Sequence, residues 1–174
     1  KFNFKIIKST NDTAARIIKK TNYKFGMVVA EKQFSGRGQY GRKWISYKGN
    51  LFASFFHPFD ENKFSIERVT KLNCNLVKQT LSKYIKNKIN FKKPNDLLIN
   101  KKKISGILQE IITKSDKKFL ITGIGINVIK NPNIKNYPAT NLYRITGKKI
   151  NKSELEKNLK LVFENRISKM YKIN

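Results

Sequence analysis

The order of apolar and polar residues along the chain predicts many short strands and few helices. Seven segments have the apolar or alternating pattern of strands, namely Phe2–Ile7, 27–33, 51–57, Ile89–Lys92, Leu97–Asn100, Lys103–Ile112 and Phe119–Val128. A chain with many consecutive strands and few helices is typical of an α+β fold. We therefore expect a mixed, largely antiparallel sheet that is covered by helices on one face.

Three helices are predicted from capping residues and apolar periodicity. The segment Ser9–Asp12 offers capping side chains before a helical run at Thr13–Lys20. Ser65 is a candidate N-cap for a long amphipathic helix, whose apolar positions are Ile66, Val69, Leu72, Leu76, Leu81 and Ile85. The last helix begins at Ser153 with Glu156 completing a capping box, and its apolar face comprises Leu155, Leu159, Val162, Phe163, Ile167 and Met170.

Length and composition are those of one folded domain. The chain has 174 residues, of which 39% are hydrophobic and 11% aromatic. It has no apolar run long enough for a membrane span or a signal peptide, so we expect a cytoplasmic protein with no membrane partner. The single cysteine, Cys74, excludes an internal disulfide, and the single histidine, His57, gives little support to histidine catalysis or a multi-histidine metal site.

The net charge of +27 has two interpretations. A strongly basic chain can bind nucleic acid. However, 32 of the 38 basic residues are lysines, they are spread along the chain, and Asn and Ile are also abundant, as in proteins from AT-rich genomes. We favour compositional bias over nucleic-acid binding.

A glycine-rich loop stands out at residues 35–44, SGRGQYGRKW. Gly36, Gly38 and Gly41 have the spacing G-x-G-x-x-G, but the segment that follows lacks helical periodicity, so the loop does not match a dinucleotide fingerprint. Two of the chain's six arginines, Arg37 and Arg42, lie in this loop. Because the planar guanidinium group suits bidentate contact with phosphate or carboxylate, we favour a phosphate-wrapping loop over a solvated one.

Four further segments each have an ordinary structural interpretation when taken alone. Ser9–Asn11 could be no more than a helix cap, and Lys92–Asp96 could be no more than a turn. Lys103–Glu110 could be an edge strand with a bulge at its glycine. Gly123–Val128 could be a core strand, although glycines in strands often mark the close approach of a ligand or another backbone.

Taken in order, these motifs resemble the catalytic domain of biotin protein ligases, also called biotin–[acetyl-CoA-carboxylase] ligases. They are the Ser-Thr-Asn cap, the Gly-Arg-Gly-x-x-Gly-Arg-x-Trp loop, Pro-Asn-Asp, Lys-x-x-Gly-Ile-Leu and Gly-Ile-Gly-Ile-Asn-Val, and the resemblance covers nearly the whole chain. It implies a fold like that of class II aminoacyl-tRNA synthetases. It also implies a reaction in which biotin and ATP, with Mg²⁺, form biotinyl-5′-adenylate, and biotin then passes to a lysine of a biotin carboxyl carrier protein.

The resemblance also implies roles for individual residues. Those expected to bind biotin are Ser9, Thr10, Asn11, Gln33, Gly36, Arg37, Gly38, Gln39, Lys103 and Gly106. Those expected to bind ATP or the adenylate are Arg42, Trp44, Lys92, Asn95, Gly125 and Asn127. Attack of a carboxylate on a phosphate brings two anions together, so the expected catalytic groups are cations and a metal-placing carboxylate, namely Lys103, Arg37, Arg42 and Asp96.

The chain departs from the family pattern at several positions. Gln39 and Tyr40 stand where basic residues are common, Lys93 replaces a tryptophan, and Gln109 replaces an apolar residue. We expect residues 1–174 to form a single catalytic domain, with no winged helix before it and no SH3-like domain after it. Such a chain would be either a reduced enzyme or one that a neighbouring chain completes, for example in a homodimer.

Two rival functions remain open at this point. Lipoate protein ligases share the fold and the chemistry, but usually have a different glycine-rich loop. A basic nucleic-acid-binding module that retains an enzyme fold would show affinity that depends steeply on salt, without ATP turnover.

Overall fold

The computed structural model describes residues 1–171, which contain one seven-stranded sheet. The strands are β1 (Phe2–Ile7), β2 (Gly26–Gln33), β3 (Leu51–Pro58), β4 (Ile89–Lys92), β5 (Asp96–Ile99), β6 (Lys102–Lys114) and β7 (Lys117–Ile126). Their order across the sheet is β1-β2-β3-β7-β6-β5-β4. Only β1 and β2 pair in parallel, and the other neighbours are antiparallel. The predicted mixed, largely antiparallel sheet is confirmed.

Four α-helices accompany the sheet within the described residues: α1 (Thr10–Lys20), α2 (Ile66–Leu81), α3 (Leu142–Thr146) and α4 (Lys152–Tyr171). Helix α1 connects the parallel strands β1 and β2, because a parallel pair requires a crossover. The short helix α3 was not predicted. None of these helices combines the length and the apolar character needed to cross a membrane.

Helices cover both faces of the sheet, whereas the sequence analysis expected one. On one face, Ala14 and Ile18 of α1 pack against strand residues that include Phe56. On the other face, α2 and α4 pack against residues that include Phe55, whose ring stacks on that of Phe163 with centroids 4.4 Å apart. The physical reason is that β3 and β7 have apolar residues at successive positions, so each strand presents apolar side chains to both faces.

The helix caps agree with the sequence analysis at two of three sites. The Ser9 hydroxyl accepts a hydrogen bond from the backbone N–H of Asp12, and that of Ser65 from the N–H of Arg68. At α4 the predicted capping box of Ser153 and Glu156 was wrong. The side chain of Asn151 accepts from the N–H groups of residues 153 and 154 instead, since amide oxygens cap as well as hydroxyls.

Candidate active site

A cavity of about 670 Å³ opens on the face of the sheet that carries α1. Its walls come from the start of α1, the end of β2, the loop between β2 and β3, the β4–β5 hairpin, β6, β7 and the segment after β7. The predicted site residues that line it are Ser9, Thr10, Asn11, Gln33, Arg37, Gly38, Gln39, Arg42, Trp44, Lys92, Asn95, Asp96, Lys103, Gly106, Gly125 and Asn127. Gly36 does not line the cavity, and an added Cβ there would come within 2.8 Å of the Trp44 carbonyl oxygen.

The end of the cavity next to α1 is polar and fixed by hydrogen bonds. The Gln33 side-chain oxygen accepts from the backbone N–H of Thr10 at 2.8 Å and from the Thr10 hydroxyl at 3.1 Å. The Gln33 amide nitrogen donates to the Ser46 hydroxyl at 3.1 Å. This arrangement leaves the Gln33 amide in one orientation, so its unused donor and acceptor capacity points in fixed directions.

The glycine-rich loop folds back on itself over the cavity. The Trp44 N–H donates to the Gly36 carbonyl at 2.8 Å, and the Gly38 N–H donates to the Arg42 carbonyl at 2.6 Å. The tip is a short 3-10 turn at Gln39–Gly41, in which Gly41 has φ of 71°. The predicted position of the glycines, in a loop between two strands, is confirmed.

The indole of Trp44 lies directly on two glycines of the sheet. A Cβ added at Gly125 would come within 2.4 Å of the indole, and one added at Gly106 within 2.8 Å. From the sequence, these glycines were expected to allow the close approach of a ligand. In the structure their nearest neighbour is the indole, and the ligand space of the cavity lies beside it.

Lys103 and Asp96 meet inside the cavity, across the hairpin that β5 and β6 form. The Lys103 ammonium lies 2.7 Å from Asp96 Oδ1, and the Asp96 side chain is only 5% exposed. The ammonium also lies 5.2 Å from the centre of the Trp44 ring. A buried carboxylate paired in this way holds the lysine side chain in a defined position.

A bulge explains how Lys103 reaches this face of the sheet. Lys103 and Gly106 are three residues apart, so in a regular strand they would point to opposite faces. The register between β5 and β6 shifts at Leu97/Leu98, which leaves an extra residue in β6. As a result the Lys103 ammonium lies 3.1 Å from the Cβ position of Gly106. The strand itself lies between β5 and β7 rather than at the edge of the sheet.

Tyr137 is a cavity residue that the sequence analysis missed. Its hydroxyl donates to Asp96 Oδ2 at 2.9 Å, and its ring lies 4.9 Å from the Lys92 ammonium, 5.4 Å from that of Lys103 and 5.9 Å from the Arg42 guanidinium carbon. Burial and the hydrogen bond to Asp96 raise the pKa of Tyr137, against a smaller opposing effect of Arg42. Tyr137 belongs to no predicted strand or helix and to no recognised motif, so the sequence carried no signal for it.

Arg37 points toward two carboxylates rather than into open space. Its guanidinium donates to Asp12 Oδ1 at 2.6 Å and to Glu110 Oε1 at 3.0 Å. Burial alone would lower the pKa of Arg37, but the hydrogen bonds and charges of the two carboxylates outweigh it and raise the pKa. Asp12 and Glu110 were present in the sequence motifs, but neither was assigned to the site.

Two asparagines of the cavity wall use their side-chain amides to hydrogen-bond backbone carbonyl groups. The Asn95 amide donates to the Ile107 carbonyl at 2.6 Å. The Asn127 amide donates to the carbonyls of Thr140, at 3.0 Å, and Lys103, at 3.4 Å. Since Asn127 is also buried, its observed contacts fix the backbone at Lys103. The predicted contact of Asn127 with a nucleotide stays a prediction.

The protein offers few groups for metal binding or nucleophilic attack. Among residues 1–171, no three His, Cys, Asp or Glu side chains come together in a way that could hold a metal ion. Cys74 is buried, and desolvation, with a smaller contribution from Asp96, raises the pKa of its thiol to about 12. Within the described residues, the polar groups of the cavity wall are therefore mainly cations, one carboxylate and amides.

Comparison with known proteins points to one family. The family model described as the biotin/lipoate A/B protein ligase family matches residues 3–127. The bifunctional ligase/repressor BirA of Bacillus subtilis is 34% identical over 169 residues, which cover 92% of this chain and 51% of that protein. The chain thus spans about half the length of this curated relative.

Solved structures show the same fold. A biotin protein ligase from Aquifex aeolicus in complex with biotin and ATP is 34% identical, with a TM-score of 0.76, and the match covers 96% of this chain and 70% of that chain. The biotin protein ligase of Leishmania major in complex with biotinyl-5-AMP is 27% identical, also with a TM-score of 0.76, and the match covers 92% of this chain and 72% of that chain. The expected class II synthetase-like fold is confirmed. By sequence and by fold, the chain belongs to the biotin/lipoate A/B protein ligase family.

Proposed function

We propose that the chain activates biotin with ATP to biotinyl-5′-AMP and transfers biotin to a lysine of a biotin carboxyl carrier protein, in the cytoplasm. The observation that best supports this proposal is the Lys103–Asp96 pair, placed in one cavity with Trp44, Lys92 and Arg42. Cations in a partly buried cavity suit a reaction that joins two anions. The complexes of the related ligases with biotin and ATP, or with biotinyl-5-AMP, point to the same substrates.

In the first step a biotin carboxylate oxygen would attack the α-phosphorus of ATP. The bond between that phosphorus and the bridging oxygen breaks, and pyrophosphate leaves with the electron pair. Lys103 would reduce repulsion between the carboxylate and the α-phosphate, and Arg42 and Lys92 would neutralise charge on the departing pyrophosphate. All three cations lie within 6 Å of the Tyr137 ring, so they can act on one nucleotide.

The Lys103 ammonium would contact both Asp96 and the biotin carboxylate during this step. Before substrate binds, Asp96 holds the ammonium at 2.7 Å. A biotin carboxylate that approached Lys103 would share the ammonium with Asp96, while Tyr137 kept Asp96 in place by its hydrogen bond at 2.9 Å. Lys103 is then positioned before the substrate arrives, which lowers the reorganisation needed in the transition state.

The polar end of the cavity would recognise the ring system of biotin. Ser9, Thr10 and Gln33 supply hydroxyl and amide groups there, and the Thr10–Gln33 hydrogen bonds fix their directions. A ureido ring has both donors and acceptors, so it needs such a mixed set. Trp44 would pack beside the adenine, with Gly106 and Gly125 leaving room for its indole.

Asp96, together with phosphate oxygens of ATP, would hold Mg²⁺. Within the described residues one carboxylate, Asp96, lies in the cavity wall, and Mg²⁺ commonly binds through one or two carboxylates together with substrate phosphates and water. When bound, the ion would neutralise phosphate oxygens. Asp96 could join it only by loosening its contacts with Lys103 and Tyr137.

The second step would release AMP. The uncharged amine of the carrier lysine attacks the acyl carbon of biotinyl-5′-AMP, the bond from that carbon to the phosphate oxygen breaks, and AMP leaves. The amine gives up a proton to water as the amide forms. The glycine-rich loop would keep the mixed anhydride from water until the carrier binds.

The mass of a carrier domain tests this function. The protein is incubated with biotin, ATP, Mg²⁺ and a biotin carboxyl carrier domain, and the carrier is weighed by mass spectrometry. We expect the mass to increase by one biotinyl group, only when ATP is present and only when the acceptor lysine of the carrier is intact. An unchanged carrier mass would reject the proposed transfer. If lipoate in place of biotin modified an equal fraction of the carrier, the proposed substrate would be rejected.

A further inference from the structure

Three charged side chains tie the glycine-rich loop to the rest of the protein. They are Asp12 in the first turn of α1, Arg37 in the loop and Glu110 in β6, and we call this set the charge clamp. Arg37 Nη1 donates to Asp12 at 2.6 Å, and Arg37 Nη2 donates to Glu110 at 3.0 Å. The clamp therefore joins the loop to a helix and to a central strand at once.

One carboxylate of the clamp, that of Glu110, is held by the surrounding structure. The Asn11 amide donates to Glu110 Oε2 at 2.6 Å, and the Ser54 hydroxyl donates to the Asn11 side-chain oxygen at 2.5 Å. Asn11 is buried above Gly123, where a Cβ would come within 2.3 Å of its oxygen. Glu110 is thus held by contacts other than its pair with Arg37.

The loop has few other side-chain anchors on this side. Phe34 is 66% exposed and Tyr40 is 87% exposed, so neither packs into the core. Trp44 anchors the opposite end of the loop by lying on Gly106 and Gly125. Between these ends, Arg37 is the residue whose side chain reaches two separate elements of the fold.

We propose that Arg37 is a positioning residue and that the charge clamp of Asp12, Arg37 and Glu110 holds the loop closed over the cavity. This inference deepens the proposed function and rests on it for its catalytic consequence. The guanidinium is engaged by two carboxylates and is not free to neutralise the α-phosphate. The clamp controls how long the adenylate stays in the cavity, and Lys103, Lys92 and Arg42 supply the charge for chemistry.

Salt dependence follows from the exposure of the clamp. The side chains of Asp12, Arg37 and Glu110 are 29%, 33% and 34% exposed, so dissolved ions can reach them. A single exposed ion pair contributes little, but here one planar guanidinium contacts two carboxylates, and Asn11 holds one of them in place. Loss of one carboxylate should therefore increase opening of the loop by roughly three- to tenfold.

The first test uses the protein without ligand. Asp12→Asn and Glu110→Gln are compared with Glu61→Gln, which removes an exposed ion pair with Lys118 far from the loop. The readouts are the half-life of the 35–49 segment under limited proteolysis and the fluorescence of Trp44, the only tryptophan in the chain. We expect a loop half-life shorter by three- to tenfold in both clamp variants, and unchanged in the control. High salt should bring the wild type close to the variants.

The second test separates retention of the intermediate from its formation. In both clamp variants we expect the dissociation rate of biotinyl-5′-AMP and the KM for biotin to rise by three- to tenfold, while the single-turnover rate of pyrophosphate release at saturating biotin falls by no more than twofold. In an Arg37→Gln background, Glu110→Gln should add no further change, because the clamp acts through Arg37.

The outcomes distinguish the clamp from the proposed function. A wild type that releases no pyrophosphate would reject the proposed function. The proteolysis test would still show whether the clamp holds the loop closed. Equal loop half-lives in wild type and both clamp variants would overturn the clamp. So would a large fall in the single-turnover rate with an unchanged dissociation rate, because that pattern is expected of a catalytic cation.

Discussion

Replacing Lys103 by alanine should slow biotin adenylation far more than replacing either lysine before it. The Lys103 ammonium lies in the cavity, 2.7 Å from Asp96 and 5.2 Å from the Trp44 ring centre, whereas Lys101 and Lys102 are exposed at the start of the strand. A cation that faces charge developing on the α-phosphate contributes more in the transition state than in the ground state. We therefore expect Lys103→Ala to affect the rate and not only the affinity.

The expected loss is roughly a hundredfold or more in the rate of adenylation, which corresponds to about 2.7 kcal/mol and to the removal of one electrostatic stabiliser. Lys101→Ala and Lys102→Ala should stay within about twofold of the wild type, since exposed charges are screened. Pyrophosphate release at saturating biotin and ATP measures all three variants.

A folding control is needed because Lys103→Ala also leaves the buried Asp96 with Tyr137 as its remaining partner in the cavity. Thermal unfolding reports this loss of stability separately, and the rates are compared well below the lowest Tm. Similar small losses in all three alanine variants would refute the catalytic role of Lys103. They would indicate that the three lysines are equivalent surface charges.

Three further substitutions test other parts of the site. Tyr137→Phe keeps the ring but removes the hydrogen bond to Asp96, so pyrophosphate release should fall by about three- to tenfold, and an unchanged rate would show that Asp96 needs no support from Tyr137. Gly125→Ala places a methyl group within 2.4 Å of the Trp44 indole, so the fluorescence of Trp44 should change and the KM for ATP should rise severalfold. Unaltered fluorescence and KM would show that the indole can move at no cost. Gln39→Arg adds a cation at the cavity wall, so biotinyl-5′-AMP should dissociate severalfold more slowly and bystander lysines should be labelled less. A dissociation rate equal to that of the wild type would show that another group already holds the adenylate.

Local sequence patterns were sufficient to predict most of the sheet. The strand LFASFFHP is apolar at nearly every position, and it lies in the middle of the sheet. The same pattern indicates burial on both faces, which the expectation of helices on one face overlooked. The cap of α4 was misassigned because both Asn151 and Ser153 have side chains that can cap a helix, and the chain alone does not decide between them.

The candidate site was predictable where a motif brings its residues together and not where long-range packing does. Lys103 and Asp96 lie seven residues apart on a hairpin, so their meeting could be expected from the sequence. Tyr137 lies 41 residues from Asp96, in a segment without periodicity, and reaches it only through the tertiary fold. Glu110 is 73 residues from Arg37, and its pairing depends on the orientation that the loop adopts over β6.

ATP–pyrophosphate exchange tests the central claim most directly, because it measures biotin activation without a carrier protein. The protein is incubated with ATP, Mg²⁺ and labelled pyrophosphate, with biotin, with lipoate or with neither, and the label that enters ATP is counted. We predict exchange that requires biotin, is not supported by lipoate and is lost in Lys103→Ala. Exchange that is no greater with biotin than without it would contradict the account.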